Sequence, residues 1–323
     1  MKTILVTGVA GFIGSKVTEM LIDQGYHVVG IDNLNDYYDV RIKNWRLAQL
    51  ETKKDSFTFY PIDIENLEDL DRVFQNHKID AVMNLAARAG VRYSMENPHI
   101  YMTTNANGHL NILEFCRKYE IQKVILASTS SLYAGQKMPF TEELPVNTPI
   151  SPYAASKKAA EAMSYSYHYL YGLDISIVRY FTVYGPAGRP DMSVFRFIKW
   201  TLEGKSLEIF GDGSQSRDFT YVDDIARGTI KALNPLGFEV INLGNNNPDK
   251  LSKMIEYIEN YSAQKSQYEH KPFHKADITA TWADISKAKA LLDWEPQVSL
   301  EEGIERTVKW TKENWDWLKK VKL

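Results

Sequence analysis

Short runs of apolar and β-branched residues alternate with longer helical patterns along the first half of the chain. Runs of strand length lie at residues 3–7, 26–31, 57–60, 81–85, 123–127 and 175–178. Patterns typical of helices lie between them, for example at residues 16–24, 110–119 and 154–171. Strands that alternate with helices of about ten or more residues pair in parallel through right-handed crossovers. The pattern therefore predicts an α/β fold with a doubly wound parallel sheet.

The pattern changes after Tyr184. Residues 185–190 form a turn-rich break, and the elements beyond it are shorter and less regular. We therefore predict a sheet domain at residues 1–184 and a smaller C-terminal lobe at residues 185–323. A segment near residues 222–243 is predicted to return to the sheet.

The composition narrows the classes of function. Hydrophobic residues make up 44% of the 323 residues, so the chain can bury a sizeable core. Lys+Arg number 38 against Asp+Glu 41, and this near balance lacks the clustered positive charge of a nucleic-acid-binding surface. The single cysteine, Cys116, excludes an internal disulfide framework. The seven histidines show no metal-ligand spacing, so we predict no metal.

The sequence also bears on location. No apolar run approaches the roughly 18 residues of a membrane span. The N-terminus lacks the charged region, apolar region and cleavage site of a signal peptide. We therefore expect a soluble, cytoplasmic protein with no membrane and no nucleic-acid partner.

A glycine-rich run lies between the first strand and the first helix. Gly8, Gly11 and Gly14 form a GxxGxxG pattern, with Phe12 and Ile13 inside it. Glycines allow a tight turn and a close approach of the backbone to a pyrophosphate, and the helix N-terminus supplies free N–H groups. The run predicts a dinucleotide site, although a plain turn between strand and helix also uses glycine.

Asp32 ends the second predicted strand. A carboxylate there can accept hydrogen bonds from both hydroxyls of an adenosine ribose, and it repels a 2′-phosphate. Together with the glycine run it favours a Rossmann-type site for NAD rather than NADP. Asp63 and Ile64 follow the third strand, where Asp63 either lies near the adenine or caps the next helix.

Tyr153 and Lys157 form a YxxxK pair, and this spacing puts both side chains on one helix face. We expect Lys157 to stabilise the phenolate and lower the pKa of Tyr153, which makes Tyr153 a candidate acid and base. The Ser/Thr run at 128–131 follows a strand, and ligands bind at the carboxyl ends of such strands. Alone, YxxxK is more often surface structure and a Ser/Thr run is often turn chemistry. The glycine run upstream favours a catalytic site.

In this order, the glycine run, Asp32, the Ser/Thr run and YxxxK resemble the extended short-chain dehydrogenase/reductase superfamily over essentially the whole chain. Within it, the sequence is most similar to nucleotide-sugar 4-epimerases. Four segments narrow the resemblance to UDP-glucuronate 4-epimerases, namely residues 35–39, 89–98, 181–192 and 217–224. The chain departs from the family pattern at two places: Ala134 stands where glycine is usual, and residues 274–276 are His-Lys-Ala where the family often has Gln-Pro-Gly or an arginine pattern.

The resemblance implies roles for particular residues. It implies a catalytic triad of Thr129, Tyr153 and Lys157. It implies NAD contacts from Gly8, Gly11, Phe12, Ile13, Gly14, Asp32, Asn33, Asp63, Ile64, Leu85, Ala86, Ala87, Asn105, Tyr153, Lys157, Tyr180 and Val183. It implies contacts of a UDP-sugar with Arg92, Ser130, Thr182, Arg189, Arg217 and Asp277, with Thr182 and Arg189 near a sugar carboxylate. The C-terminal lobe is then the UDP-sugar-binding lobe, and a homodimer forms through a four-helix bundle of helices around 107–119 and 154–171.

The implied reaction is 4-epimerisation of UDP-glucuronate to UDP-galacturonate, by oxidation at C4 and re-reduction on the opposite face. Similar 4,6-dehydratases carry Asp-Glu where Ser130 and Ser131 stand, and similar decarboxylases carry Glu at Ser131, so both reactions are disfavoured. The runner-up is a UDP-glucose or UDP-N-acetylglucosamine 4-epimerase. A nucleotide-sugar reductase and a catalytically inactive dinucleotide sensor are less favoured, because Asp32 argues against NADPH and the triad is complete.

Overall fold

The computed structural model describes residues 1–272 and 279–323. Its strands are β1 (Thr3–Thr7), β2 (His27–Ile31), β3 (Phe57–Tyr60), β4 (Ala81–Asn84), β5 (Lys123–Thr129), β6 (Asp174–Tyr180), β7 (Thr182–Tyr184), β8 (Ser206–Phe210), β9 (Ser216–Tyr221), β10 (Phe238–Leu243), β11 (Pro248–Lys250) and β12 (Gln267–Lys271). Its helices are α1 (Phe12–Asp23), α2 (Val40–Glu51), α3 (Leu67–Asn76), α4 (Val91–Glu96), α5 (Pro98–Tyr101), α6 (Gly108–Lys118), α7 (Pro152–Tyr171), α8 (Ser193–Glu203), α9 (Val222–Lys231), α10 (Leu251–Ser262), α11 (Ser286–Leu292), α12 (Leu300–Glu313) and α13 (Trp315–Leu318). A π-helix, Met102–Asn107, joins α5 to α6.

Seven parallel strands form the main sheet, in the order β10-β6-β5-β4-β1-β2-β3. The central strands are buried on both faces, which explains why they are continuous apolar runs in the sequence. One buried cluster joins α1, α2 and α9 to one face, and a second joins α3, α6 and α7 to the other. The predicted doubly wound parallel sheet is therefore confirmed.

The C-terminal half contributes to both parts of the molecule. Strand β10 pairs with β6 at the edge of the main sheet, and it lies inside the segment predicted to return there. A separate apolar cluster joins α8, α10 and α12 to β8 and β9. The boundary at residues 184 and 185 itself stays a prediction.

Three element ends differ from the sequence patterns, and each lies near the cavity described below. Helix α1 begins at Phe12, four residues before the apolar pattern suggested, directly behind Gly11. Strand β5 continues to Thr129, because Ser128 and Thr129 still pair with β6. Helix α7 begins at Pro152 after Ser151, whose hydroxyl accepts a hydrogen bond from the Ala154 N–H at 3.2 Å.

A long apolar helix of the kind that crosses a bilayer is absent from the described part of the chain.

Candidate active site

The glycine run turns so tightly that its own backbone fills the space around it. Gly8 has φ +70°, and a Cβ there would lie 2.8 Å from the Ala86 backbone. A Cβ on Gly14 would lie 2.1 Å from the carbonyl oxygen of Gly8. The run therefore needs glycine to place the first turn of α1 against the end of β1, at one wall of a cavity.

Asp32 and Asn33 lie at the carboxyl end of β2, beside the glycine run. The Asp32 carboxylate accepts hydrogen bonds from the Ala10 N–H at 3.1 Å and the Leu34 N–H at 2.9 Å. The Asn33 amide donates to Asp63 at 2.6 Å. The N-cap of α3 is Asn66, so Asp63 does not cap that helix. Asp63 instead lines the cavity and accepts the hydrogen bond from Asn33.

Residues 85–87 follow β4 and form the adjoining wall. The Ala86 N–H donates to the Thr7 hydroxyl at 3.1 Å, and that hydroxyl donates to Asn84 at 2.6 Å. Asn105, which was expected to contact the cofactor, is not among the described residues that line the cavity. Its side chain accepts from the Arg88 N–H at 2.8 Å and donates to the Arg88 carbonyl at 2.9 Å, so it holds the segment that lines the cavity.

The three triad candidates come together at the carboxyl end of β5. Thr129 is the last residue of β5, and its hydroxyl lies within hydrogen-bonding reach of Tyr153, in the first turn of α7. Burial raises the pKa of Tyr153, while the Thr129 hydrogen bond and the Arg189 charge lower it in part. The expected lowering of that pKa by Lys157 is therefore wrong for this structure: burial outweighs the stabilising groups, and the neighbouring positive charge comes from Arg189.

Lys157 is 2% exposed, one turn after Tyr153. Burial lowers its pKa to about 8, and the negative charge of Glu161 opposes that shift. Glu161 in turn accepts hydrogen bonds from the Ser128 hydroxyl at 2.7 Å and from the Arg179 guanidinium at 2.8 and 2.7 Å. This buried network ties the helix of the triad to β5 and β6.

Arg189 lines the same cavity as the triad, and its charge acts on Tyr153. Its guanidinium donates to Asp191 at 3.0 Å and lies 5.6 Å from the centre of the Tyr37 ring. Burial opposes its charge, but Asp191 raises the net pKa of Arg189 above its ordinary value, so it stays protonated. Thr182 and Met192 line the cavity beside it. The arrangement presents a fixed positive charge toward Tyr153.

The remaining predicted ligands have different positions. Arg217 lines the cavity, and its guanidinium donates to the carbonyls of Ser216 at 2.9 Å and Thr279 at 3.2 Å. Arg92 is placed elsewhere within the described chain: it lies outside the cavity wall, with its guanidinium 3.9 Å from the centre of the Phe210 ring. Asp277 lies outside the described residues.

One cavity of about 510 Å³ brings most of these groups together. The predicted residues that line it are Gly8, Gly11, Phe12, Ile13, Gly14, Asp32, Asn33, Asp63, Ile64, Leu85, Ala86, Ala87, Thr129, Ser130, Tyr153, Lys157, Tyr180, Thr182, Val183, Arg189 and Arg217. The cavity thus runs from the glycine run, past the triad, to Arg189 and Arg217.

Sequence reasoning missed several residues of the wall. Tyr37 and Tyr38 precede α2, and Lys43 lies within it, 3.9 Å from Asp32. Burial lowers the pKa of Lys43 to about 8, and the Asp32 charge opposes that shift. Tyr37 and Tyr38 fall in the segment 35–39, which the family resemblance singled out without a role, so a signal was present for them.

The wall fits a dinucleotide. At Gly8 the backbone is bare, and a side chain there would clash with the Ala86 backbone. The wall also offers a carboxylate at Asp32 and a buried cation at Lys43. Across the described residues, no three His, Cys, Asp or Glu side chains are grouped as metal ligands would be.

Comparison with known proteins agrees with this architecture. Residues 5–307 match the family described as GDP-mannose 4,6 dehydratase. A UDP-glucuronate 4-epimerase of Thermodesulfobacterium geofontis is 59% identical over 320 residues, which cover 99% of each chain.

Solved structures with the same fold include ligand complexes. A UDP-glucuronic acid 4-epimerase from Bacillus cereus, in complex with UDP-glucuronic acid and NAD, is 40% identical with a TM-score of 0.90, over 97% of this chain and 99% of that one. A UDP-glucose 4-epimerase from Thermotoga maritima, with UDP-glucose, is 34% identical with a TM-score of 0.88, over 97% and 99%. With the dinucleotide wall, the triad and these matches, the chain belongs to the GDP-mannose 4,6 dehydratase family of extended short-chain dehydrogenases/reductases.

Proposed function

We propose that this protein is an NAD-dependent isomerase that converts UDP-glucuronate to UDP-galacturonate by epimerisation at C4. One observation carries the proposal: Thr129, Tyr153 and Lys157 line the same cavity as a fixed cation, Arg189, whose charge acts on Tyr153. The first group suits the removal and return of a hydroxyl proton. The second suits a sugar that carries a carboxylate.

The cofactor end of the cavity is the wall that contains the glycine run and Asp32. Bound NAD⁺ supplies a reversible hydride acceptor, which an inversion at a carbon without an acidic C–H requires. We assign the pyrophosphate to the backbone at Gly8 and the first turn of α1, which line the cavity. We assign the adenosine ribose to Asp32 and Asn33 beside them.

Tyr153 accepts the proton of the 4-hydroxyl as C4 is oxidised, and it returns a proton when C4 is reduced on the other face. Burial opposes formation of the phenolate, so the stabilising groups matter. Thr129 supplies a hydrogen bond and Arg189 a positive charge. Lys157, one helical turn away, lines the same cavity, and we assign it a contact with the ribose of the cofactor.

The intermediate of the proposed reaction is a 4-keto sugar with a carboxylate at C6, which is a β-keto acid. Such acids lose CO₂ when the bond to the carboxylate aligns with the carbonyl π system. Arg189, with Thr182 beside it, is placed to hold the carboxylate out of that alignment. Because Asp191 fixes the Arg189 guanidinium, the direction of this contact is set before the substrate binds.

The serines after Thr129 support epimerisation over elimination. Ser130 and Ser131 both line the cavity, where a 4,6-elimination needs an additional acid and base. A hydroxyl of ordinary serine type cannot serve as either at neutral pH. Reversible oxidation and reduction is the chemistry left to the triad.

The test is product analysis with purified protein, NAD⁺ and UDP-glucuronate, with UDP-glucose and UDP-N-acetylglucosamine in parallel. We expect UDP-galacturonate with little UDP-pentose. Conversion of a neutral sugar alone would contradict the proposal.

Tyr153→Phe is expected to lower kcat by about 10²–10⁴-fold with substrate affinity retained, because it removes only the proton-transferring oxygen. Undiminished turnover by that variant would assign the acid/base role elsewhere.

We further propose a cytoplasmic homodimer that supplies nucleotide sugar for polysaccharide biosynthesis. Helices α6 and α7 pack side by side, and α7 presents Leu170 and Tyr169 to solvent, 63% and 76% exposed. Apolar surface of this kind supports a helix-pair interface with a second copy. Leu170→Glu is expected to give a monomer by sedimentation analysis, whereas an unchanged mass would exclude this face.

A further inference from the structure

Arg46, on α2, is a buried arginine outside the predicted site. It is 2% exposed, and its guanidinium makes five hydrogen bonds. Two go to the carbonyl of Ala187, at 3.0 and 2.7 Å, and one to that of Gly188 at 3.1 Å. The others go to the carbonyl of Ala10 at 3.0 Å and the hydroxyl of Tyr38 at 2.8 Å.

These partners belong to three separate segments. Ala10 lies in the glycine run, Tyr38 lies in the segment before α2, and Ala187 and Gly188 directly precede Arg189. One side chain thus connects the cofactor end of the cavity to the residue that faces the sugar. All the acceptors are neutral oxygens, three carbonyls and one hydroxyl, so these hydrogen bonds of the guanidinium involve no carboxylate.

The turn that carries Arg189 contains a residue in a strained backbone conformation. Ala187 has φ +52°, a left-handed conformation that side-chain-bearing residues rarely adopt. Such strain persists only where surrounding contacts determine the conformation. The paired hydrogen bonds from Arg46 to the Ala187 carbonyl are contacts of that kind.

We propose that Arg46 is a positioning residue that sets where Arg189 points relative to the bound cofactor, and thereby protects the β-keto acid intermediate from loss of CO₂. The inference rests on the proposed function and deepens it. If the turn shifts, the sugar carboxylate is free to rotate into line with the C4 carbonyl. The C5–C6 bond then breaks, its electron pair forms the enolate of the ketone, C5 takes up a proton, and CO₂ leaves. The products are CO₂, a UDP-4-keto-pentose and NADH left by the oxidation at C4.

Lysine cannot replace Arg46 in this arrangement. A single ammonium carries one charge on one nitrogen and cannot reach the three segments at once, whereas the planar guanidinium donates from three nitrogens in fixed directions. Arg46→Lys therefore keeps the charge and removes the geometry. That makes it the informative substitution.

The first measurement is the partition of products from UDP-glucuronate. In Arg46→Lys we expect the fraction of turnovers that end in CO₂ and NADH to rise about tenfold, and kcat for UDP-galacturonate to fall by roughly 10–100-fold. Arg227→Lys is the control, since the Arg227 guanidinium likewise donates to a distant carbonyl, that of Glu295, although it also pairs with Asp224 and lies on α9. It should leave the partition unchanged.

The second measurement needs no turnover. By calorimetric titration in a Tyr153→Phe background with NAD⁺ present, Arg46→Lys should weaken UDP-glucuronate about tenfold and leave UDP unaffected, because UDP has no sugar carboxylate. If both ligands weaken equally, Arg46 does not act through Arg189. A wild-type product partition in a variant with lower thermal stability would equally overturn the proposal and make Arg46 structural only.

A folding defect can be separated from the effect. Glycine adopts positive φ freely, so adding Ala187→Gly to Arg46→Lys removes the strain that Arg46 holds. The double variant should fold and still release excess CO₂, whereas a wild-type partition there would overturn the proposal. Failure of the proposed function is distinguished at the outset, because the wild-type protein would then make no UDP-galacturonate.

Discussion

The buried ammonium of Lys157 serves the site at a cost in stability. Its pKa falls from 10.5 to about 8 because burial disfavours the charge. At pH 7 the folded and the unfolded chain both hold the proton, so the full cost is present. Between about pH 8 and 10.5 the unfolded chain binds more protons than the folded chain, so the free energy of unfolding from this group rises with pH.

Lys157→Met is therefore expected to be inactive and more stable than the wild type, by roughly 2 kcal/mol at pH 7. The gain should shrink toward about pH 10, where the wild-type lysine is neutral in the folded protein. Urea unfolding at both pH values measures it. Lys78→Met, at an exposed position, is the control and should change stability little. A variant less stable than the wild type at pH 7 would mean that lost contacts outweigh the relieved charge.

At the scale of elements, the start of α1 depends on one backbone contact. Gly14→Ala would put a Cβ 2.1 Å from the Gly8 carbonyl oxygen, and neither backbone can yield without moving the turn. We expect a loss of about 2–4 kcal/mol in the free energy of unfolding. Gly25→Ala is the control: it has φ +85° but open space around it, and it should cost only about 1–2 kcal/mol. If chemical denaturation gave the same loss in the free energy of unfolding for both variants, backbone strain rather than the contact with Gly8 would account for the effect.

The elements of the sheet could be predicted because their physics is local. Strand β1 is buried and reads as an apolar run, and the edge strand β3 is a short run of aromatic and β-branched residues, so both have the predicted bounds. The YxxxK register on α7 follows from helix geometry alone. Strand β5 extends two residues beyond its apolar pattern, to Ser128 and Thr129. Both are polar, and they belong to the strand because they pair with β6.

The tertiary contacts of the site could not be predicted in the same way. Arg46 and Ala187 are 141 residues apart, and no periodicity marks their contact. Lys43 reads as a polar helix position, yet the fold buries it near Asp32. Asn105 carries a family signal, but the structure places it behind Arg88 and not on the wall. Burial of polar groups by distant segments is decided by the whole fold.

At the scale of the molecule, C-terminal residues contact α2, the helix that contributes Lys43 to the cavity wall. Trp317 stacks on Trp45 of α2 with ring centres 5.9 Å apart, and Trp310 meets Trp45 edge-on at 5.2 Å. The Lys322 N–H donates to Asp39 at 2.7 Å, and Asp39 is the N-cap of α2. The C-terminal residues thus support the helix that carries Lys43 and Arg46.

This support predicts an effect at a distance. Trp317→Ala removes a half-buried stacked ring and is expected to cost about 3 kcal/mol in stability. Because α2 would then be less firmly held, KM for UDP-glucuronate should rise several-fold, while kcat falls less, since the triad on β5 and α7 is untouched. Steady-state kinetics well below the melting temperature measures both. Trp200→Ala is the control, because Trp200 packs against the apolar cluster of α8, α10 and α12, whereas Trp317 packs against a different cluster that includes Ile42 of α2.

The two variants separate support of α2 from general loss of stability. If Trp200→Ala lowers the melting temperature as much as Trp317→Ala but keeps the wild-type KM, then the rise in KM belongs to the contact with α2. An equal rise in KM in both variants would mean that any loss of stability loosens the site, and the C-terminal residues would have no particular role. The first outcome is expected, because Asp39 and Trp45 join the chain's end directly to the element that holds Arg46.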